Sequence, residues 1–255
     1  MTNLEDALGE RMKAYEAVTK STLPERSYTI VRLDGRAFHT YLRGAQKPFD
    51  YQFASDMQET ARMLCAEMAG SVFAYTQSDE ISILLQDFAS PGTQPWFGGE
   101  VQKIVSVSAS MATARMNALR GGKLATFDSR VFTVPSSTEV ANYFLWRQKD
   151  AIRNAVSMAA QAEFSHNELQ GEGQSTMLLM LEKECGIVFD DVYPAHVRFG
   201  SVVVQVQEQR AVEYIDKRTD SLVADLALRK VWTVEAAPRF SATEGWLLDV
   251  IPERS

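Results

Sequence analysis

Apolar periodicity along the 255 residues spells β-α-β-β-α-β between about 28 and 134. This is the ferredoxin-like order of an α+β fold, an antiparallel sheet backed by helices. Two observations carry it. The run Tyr28-Thr29-Ile30-Val31-Arg32-Leu33 ends in Asp34-Gly35-Arg36, as a strand ends in a turn. The run Val72-Phe73-Ala74-Tyr75, the turn Thr76-Gln77-Ser78, then Asp79-Glu80 and Ile81-Ser82-Ile83-Leu84-Leu85 reads as a hairpin with acids at its bend.

Ahead of the sheet, Leu4, Leu8, Met12 and Tyr15 stand at helical spacing, so an amphipathic helix over 4–20 opens the chain and Pro24 ends it. The segment 44–50 is a loop. Asp50 fits an N-cap for a helix to Ala69 whose inner face is Phe53, Met57, Ala61, Leu64 and Met68. The hairpin takes 71–86. Residues 88–99 are a loop because Pro91, Gly92, Pro95, Gly98 and Gly99 punctuate them. A helix over 100–119 and a strand over 125–134 complete the pattern. Sheets of this kind form the palm of many polymerases and cyclases and leave a face or edge for substrate. We therefore expect a palm-like core over 1–135, and helices and strands of 136–255 packed on it as one continuous unit.

In that second part Ser136-Ser137-Thr138-Glu139 is a capping box opening a long helix to about Phe164, with Val140, Tyr143, Phe144, Arg147, Ile152, Val156 and Met158-Ala159 along it. Ser165-His166-Asn167-Glu168 starts another. Gly171 and Gly173 precede an apolar helix from Met177 to Cys185, stopped by Gly186. Strands are expected at 201–206 and 231–234, and a weaker one at Gly245-Trp246-Leu247-Leu248.

Composition narrows the class. The chain is 45% hydrophobic, enough for a large core, and has a formal net charge of −7, which argues against an unspecific nucleic-acid binder. Cys65 and Cys185 lie far apart in apolar helical patterns and read as buried thiols of a reducing compartment. No apolar run approaches the roughly 20 residues that span a bilayer, and the acidic start has no signal-peptide pattern, so a cytoplasmic protein away from membranes is expected.

Strand-end carboxylates suit hard cations. Mg²⁺ takes one or two carboxylates and completes its shell with water and substrate phosphates, and two such ions clamp an in-line displacement at phosphorus. The competing reading is plain: Asp-Gly and Ser-Asp-Glu are common solvated turns. Arg32, Arg36, His39, Arg43 and Lys47 crowd around the first acid, as a triphosphate would need or as an ordinary solvated loop would carry.

Six stretches in order resemble the tRNA-His guanylyltransferase family and its Thg-like relatives. They are Arg32-Leu33-Asp34-Gly35-Arg36-Ala37-Phe38-His39 with Lys47-Pro48-Phe49-Asp50, Tyr75-Thr76-Gln77-Ser78-Asp79-Glu80, Lys103-Ile104-Val105-Ser106, Phe127-Asp128-Ser129-Arg130-Val131, Pro135-Ser136 and Trp146-Arg147-Gln148-Lys149-Asp150. The resemblance runs over about 5–185. It implies a palm that adds nucleotides to the 5′ end of RNA, in the 3′–5′ direction. Two Mg²⁺ ions would be held by Asp34, Asp79 and the Gly35 carbonyl. The incoming triphosphate, GTP or ATP, would be wrapped by Asp34, Gly35, Arg36, Ala37, Phe38 and His39 with Ser78, and met by Lys47, Lys103 and Arg130. Glu80 matches an acidic position taken as catalytic with Asp34 and Asp79; its alternative is a structural carboxylate. Family members are commonly homotetramers.

Two departures matter. The family usually has Gly where Ala37 stands. After Trp-Arg-Gln-x-Asp it usually has His-Ile-Asn-Asn-Leu-Tyr-Asn, where this chain has Ile152-Arg153-Asn154-Ala155-Val156-Ser157-Met158 and only Asn154 survives. That motif is associated with tRNA-His recognition, so the closer fit is the Thg-like branch, which repairs truncated tRNA 5′ ends against a template. The other readings are addition of a single G to tRNA-His, a nucleotidyl transferase or cyclase acting on free nucleotides, and an inactive RNA-binding protein on the same fold.

Overall fold

The structure, a computed structural model, describes residues 2–216, 218, 221–241 and 243–254, without the side chains of 2–5, 216, 223 and 225. Helix α1 (Thr2–Ala17) leads to strand β1 (Tyr28–Gly35), a one-turn helix α2 (Phe38–Tyr41) and helix α3 (Tyr51–Glu67). The hairpin β2 (Ser71–Gln77) and β3 (Glu80–Leu85), a 3-10 turn at Trp96–Gly99, helix α4 (Val101–Arg120) and strand β4 (Phe127–Val134) follow. The long helix α5 (Ser137–Glu163), then α6 (His166–Leu169), α7 (Gln174–Cys185), α8 (Phe189–Val192) and α9 (Ala195–Phe199), lead to β5 (Ser201–Asp216), β6 (Ser221–Ala236) and α10 (Trp246–Val250).

The sheet runs β4-β1-β3-β2-β5-β6 and every pairing is antiparallel. Its first four strands have the ferredoxin-like order the periodicity predicts. Alternation along β1 and β3 sends Val31, Leu33, Ile81 and Ile83 to one face, under Phe53, Met57 and Leu64 of α3 and Ile104, Ala112 and Met116 of α4. The Asp50 carboxylate caps α3 by accepting from the Phe53 N–H at 2.8 Å.

The opposite face is not left free. Tyr28, Ile30, Phe73 and Leu84 are buried under Val140, Ala141 and Phe144 of α5 and Leu247 of α10, while the end where Asp34 lies stays half-buried. Gln148 of α5 is buried, and its amide donates to the carbonyls of Phe199 (3.2 Å) and Pro238 (2.7 Å) and accepts from the Phe240 N–H (2.7 Å).

Several expectations are corrected. Helix α1 ends at Ala17, before Pro24. Its stripe of Leu8, Met12 and Tyr15 is exposed, and Leu4 lies outside the described side chains. Ser136 caps α5, but Glu139 accepts from Asn142 instead of returning to the cap; the full box is at Ser165 and Glu168. Cys185 is exposed at the end of α7, and only Cys65 is buried. The stretch from Gly245 is a helix: Trp246, Leu247, Val250 and Ile251 recur at helical spacing and pack beside α5. Strands β5 and β6 extend into a ribbon far beyond the expected 201–206 and 231–234, and only Ser201–Val204 of β5 pair with β2.

Candidate active site

The end of β1 meets the hairpin bend. The Gly35 N–H donates to the Asp79 carbonyl at 3.0 Å, and Ser78 turns the hairpin at φ 52°. Register places Asp34 between Glu80 on β3 and Asp128 on β4. Directly opposed residues share a face, so three carboxylates form one rung on the α5 side. The next rung on that side sets Arg32 between Ser82 and Arg130.

Burial is the main force raising the Asp34 carboxyl. The Arg32 guanidinium opposes it, and the Glu80 and Asp128 charges add to it. Burial likewise raises Asp79; its own backbone N–H offsets part of this, and the Asp34 charge adds to the rise. Arg32 lies 3.8 Å from Asp34, and a cation between two partly desolvated carboxylates that repel one another would relieve both.

Glu80 sits differently. The Arg147 guanidinium donates a fork to it, Nε to Oε1 at 2.7 Å and Nη2 to Oε2 at 2.8 Å, and Arg32 donates at 2.6 Å. Ser82 hydrogen-bonds Tyr143 at 2.9 Å beside this cluster. Both Glu80 oxygens are thus engaged by arginines. Among the described residues no group of three or more His, Cys, Asp or Glu side chains could by itself hold a metal. A cation here would need the Gly35 carbonyl and outside oxygens.

On the α3 side of the sheet end lies a cavity of about 580 Å³, lined by Gly35, Ala37, Phe38, His39, Lys47, Ser78 and Asp79 among the expected residues. The N–H groups of Gly35 and Arg36 are spent on the Asp79 and Thr126 carbonyls. Anion contacts from this segment therefore fall to Ala37, Phe38 and His39. A Cβ on Gly35 would come within 2.4 Å of the Phe38 ring, and that ring packs with Tyr41, Phe53 and Phe127. So glycine is required by packing as well as by any close approach of phosphate. Ala37 is left-handed, at φ 56° and ψ 37°, where a glycine would be unstrained.

Not every expected residue reaches the cavity. Asp34 and Glu80 face the α5 side. Arg36 is exposed beside the cavity without lining it. Arg130 is exposed on β4, paired with Asp128 at 3.5 Å. Lys103 pairs with Glu100 at 3.6 Å in the first turn of α4. The adjacent Ile104 packs near Thr29 and Leu85, roughly 17 Å along β1 from Asp34, so within one chain Lys103 is far from the acids.

Sequence reasoning missed other lining residues: Gln58 on α3, Met158 and Gln161 on α5, and His196 on α9. Burial lowers the His196 imidazole pKa. Met158, expected simply along the long helix, is exposed on α5 and lines the cavity. For Arg147 the signal was present, an Arg and an Asp150 three apart on one helix face, and the structure joins them at 3.1 Å. His196 stands in a five-residue helix and gave none.

A palm with paired strand-end acids beside a cavity that Lys47 lines has the architecture of a nucleotidyl-transferring enzyme. The family model described as Thg1, tRNAHis guanylyltransferase, matches residues 9–135. A bacterial tRNA(His) guanylyltransferase (Thg1)-like protein in complex with ATP superposes with TM-score 0.78 and 39% identity, covering 91% of this chain and 93% of that one. Its complex with GTP gives TM-score 0.74 and 38% identity over the same shares. The tRNA(His) guanylyltransferase of Debaryomyces hansenii is 28% identical over 251 residues, 90% of this chain and 88% of its own length. The chain belongs to the tRNA-His guanylyltransferase family, a family of nucleotidyltransferases.

Proposed function

We propose that this enzyme extends RNA 5′ ends in the 3′–5′ direction, and that template-dependent repair of 5′-truncated tRNA is its principal reaction. The observation that carries this reading is the adjacency of Asp34 and Asp79, both with raised pKa, to a cavity lined by Lys47 and His39. A nucleoside triphosphate occupies that cavity, GTP or ATP being the nucleotides in the two bacterial complexes. Its phosphates lie on the N–H groups of Ala37, Phe38 and His39, on Ser78 and on Lys47.

The donor set of Asp34, Asp79 and the Gly35 carbonyl suits Mg²⁺, an oxygen-seeking ion that retains substrate and water ligands. Two ions held there would lower the pKa of the incoming nucleotide's 3′-hydroxyl, the nucleophile toward the activated 5′ phosphate of the RNA, and would neutralise the displaced pyrophosphate or AMP. The protein's own groups position. Lys47 is a point charge on phosphate oxygen, and the Arg32–Glu80–Arg147 cluster fixes the strand end that carries Asp34. Arg130 faces the α5 side and Lys103 the far end of the sheet, so both are assigned to RNA or to another subunit.

Repair is favoured over recognition of tRNA-His because Ala155 and Val156 of the departed motif are buried, and only Arg153, Asn154 and Met158 are exposed. Base readout needs hydrogen bonds or stacking faces, which alanine and valine lack. The enzyme acts as one unit across 1–135 and 136–255, a reading supported by the pairing of β5 with β2. It works as a homotetramer in the cytoplasm. The exposed α1 stripe supports the first; for the second, no helix among the described residues is long and apolar enough to cross a membrane.

The test is incorporation of labelled nucleotide into tRNA-His and other tRNAs, each intact or lacking its first nucleotide, with anticodons exchanged. Template-matched repair of several truncated tRNAs is expected, whatever the anticodon. Untemplated G on intact tRNA-His alone, turnover of free triphosphate without RNA, or RNA binding without incorporation would each overturn the proposal.

A further inference from the structure

Two substrates must meet at Asp34 in the reaction proposed above, and the cavity on the α3 side accounts for one. Alternation along β1 turns the Asp34 side chain to the other side of the sheet, into the rung with Glu80 and Asp128. That side is open near the strand end. The Asp128 and Arg130 side chains there are 55% and 57% exposed, and Trp146 of α5 is 55% exposed.

Trp146 is held, not loose. The Arg147 guanidinium carbon lies 4.4 Å from the centroid of its ring. Arg147 is only 10% exposed and is locked by its fork on Glu80 and by Asp150. The Tyr143 ring meets Trp146 edge-on at 6.0 Å, and Tyr143 is anchored to Ser82 and packs on Phe132 of β4, two residues from Arg130. Glu80 is the direct cross-strand partner of Asp34. An exposed indole is thus tied to Asp34 through Arg147 and Glu80. A ring fixed before binding loses little entropy when a base stacks on it.

We infer that Trp146 is the stacking platform for the 5′-terminal base of the acceptor RNA, which reaches Asp34 from the α5 side while the triphosphate enters from the α3 side. Arg130, exposed on the same face as Asp34, meets its phosphate. Stacking tolerates any base because every base has a π-face, which suits an enzyme that repairs several tRNAs. The assignment rests on the RNA-extending reading.

The experiment is a double-mutant cycle between protein and RNA. Binding is measured without triphosphate, using a tRNA transcript lacking its first nucleotide and the same transcript with its 5′-terminal base removed. Trp146→Ala should weaken binding of the first transcript about ten-fold. Removing the base should weaken binding to the unaltered protein by a similar factor, and the two changes together should cost little more than either. Trp146→Phe should restore most of the affinity, and triphosphate affinity should be unchanged throughout, which also reports that the variants are folded. Additive losses, no loss, or a loss that accompanies altered sedimentation would overturn the assignment; the last would mean that the ring covers a second copy of the chain. Nucleotide incorporation by the unaltered protein on the same transcript separates the two claims. Incorporation with additive losses removes only the role of Trp146, whereas no incorporation into any tRNA removes the proposed reaction and this role with it.

Discussion

Replacing Arg147 with alanine tests the account of Glu80. Arg147 is 10% exposed and Glu80 14%, and the fork between them spans 2.7 and 2.8 Å. Removing one partner of a buried ion pair costs about 3–5 kcal/mol, because the other charge stays buried. Glu80 would keep Arg32 at 2.6 Å, so the lower end applies, about 3 kcal/mol. In a domain of this size each kcal/mol lowers Tm by about 2–4 °C, so a fall of about 6–12 °C is expected. Arg147→Lys keeps the charge and loses the planar fork, and should fall between the two. Thermal melts and urea titrations measure both variants, and Glu80→Gln should lose stability and turnover together. If Arg147→Ala cost less than about 0.5 kcal/mol, as an ordinary surface substitution does, the clamp would not be structural. If Glu80→Gln kept full stability while turnover collapsed, Glu80 would belong among the catalytic groups.

Asp34→Ala and Asp79→Ala should abolish incorporation and leave circular dichroism unchanged; near-normal turnover of either at saturating Mg²⁺ would remove the metal assignment. Burial holds the folded Asp79 carboxyl above its ordinary range, so its ionised form destabilises the metal-free protein. Asp79→Asn should therefore be the more stable at neutral pH, and its advantage should shrink as pH falls from above the raised value to below the ordinary one, as urea midpoints across pH would show. Ala37→Gly should add about 0.5 kcal/mol, because relief of roughly 1–2 kcal/mol of left-handed strain outweighs the extra freedom of the unfolded chain; a loss of stability would mean that the turn is unstrained. Lys47→Ala should weaken triphosphate binding more than tRNA binding, and titrations with the opposite result would move Lys47 to the RNA surface.

What could be read in the sequence was whatever was buried and bounded by turns. Strands β1 and β3 are apolar runs covered on both faces, and Asp34-Gly35 at the end of β1 and Ser78-Asp79 ahead of β3 supply the turn chemistry, so the four-stranded order and the meeting of the two acids followed. The Asp50 cap was visible for the same local reason. The β5–β6 ribbon was not, because beyond Val206 its β5 strand is exposed on both sides up to Ala211, and exposure leaves no alternation to detect. Nor was the Glu80 clamp, since Arg147 lies 67 residues away and its partner is chosen by the fold. The position of Lys103 was not legible either, because it lies in the first turn of α4, a 20-residue helix, away from the sheet end that the motif implied.

Gln148 alters what the stretch after β6 is to the molecule. One glutamine side chain satisfies two carbonyls and an N–H of segments that flank the ribbon on both sides. A shortened version ending before Pro238 would therefore not trim a tail. It would strand a buried amide inside α5, at about 1–3 kcal/mol for each unmet group, and uncover the apolar seat of Leu247. In the grammar of this fold the closing bracket is written at Gln148, some ninety positions before the words it closes.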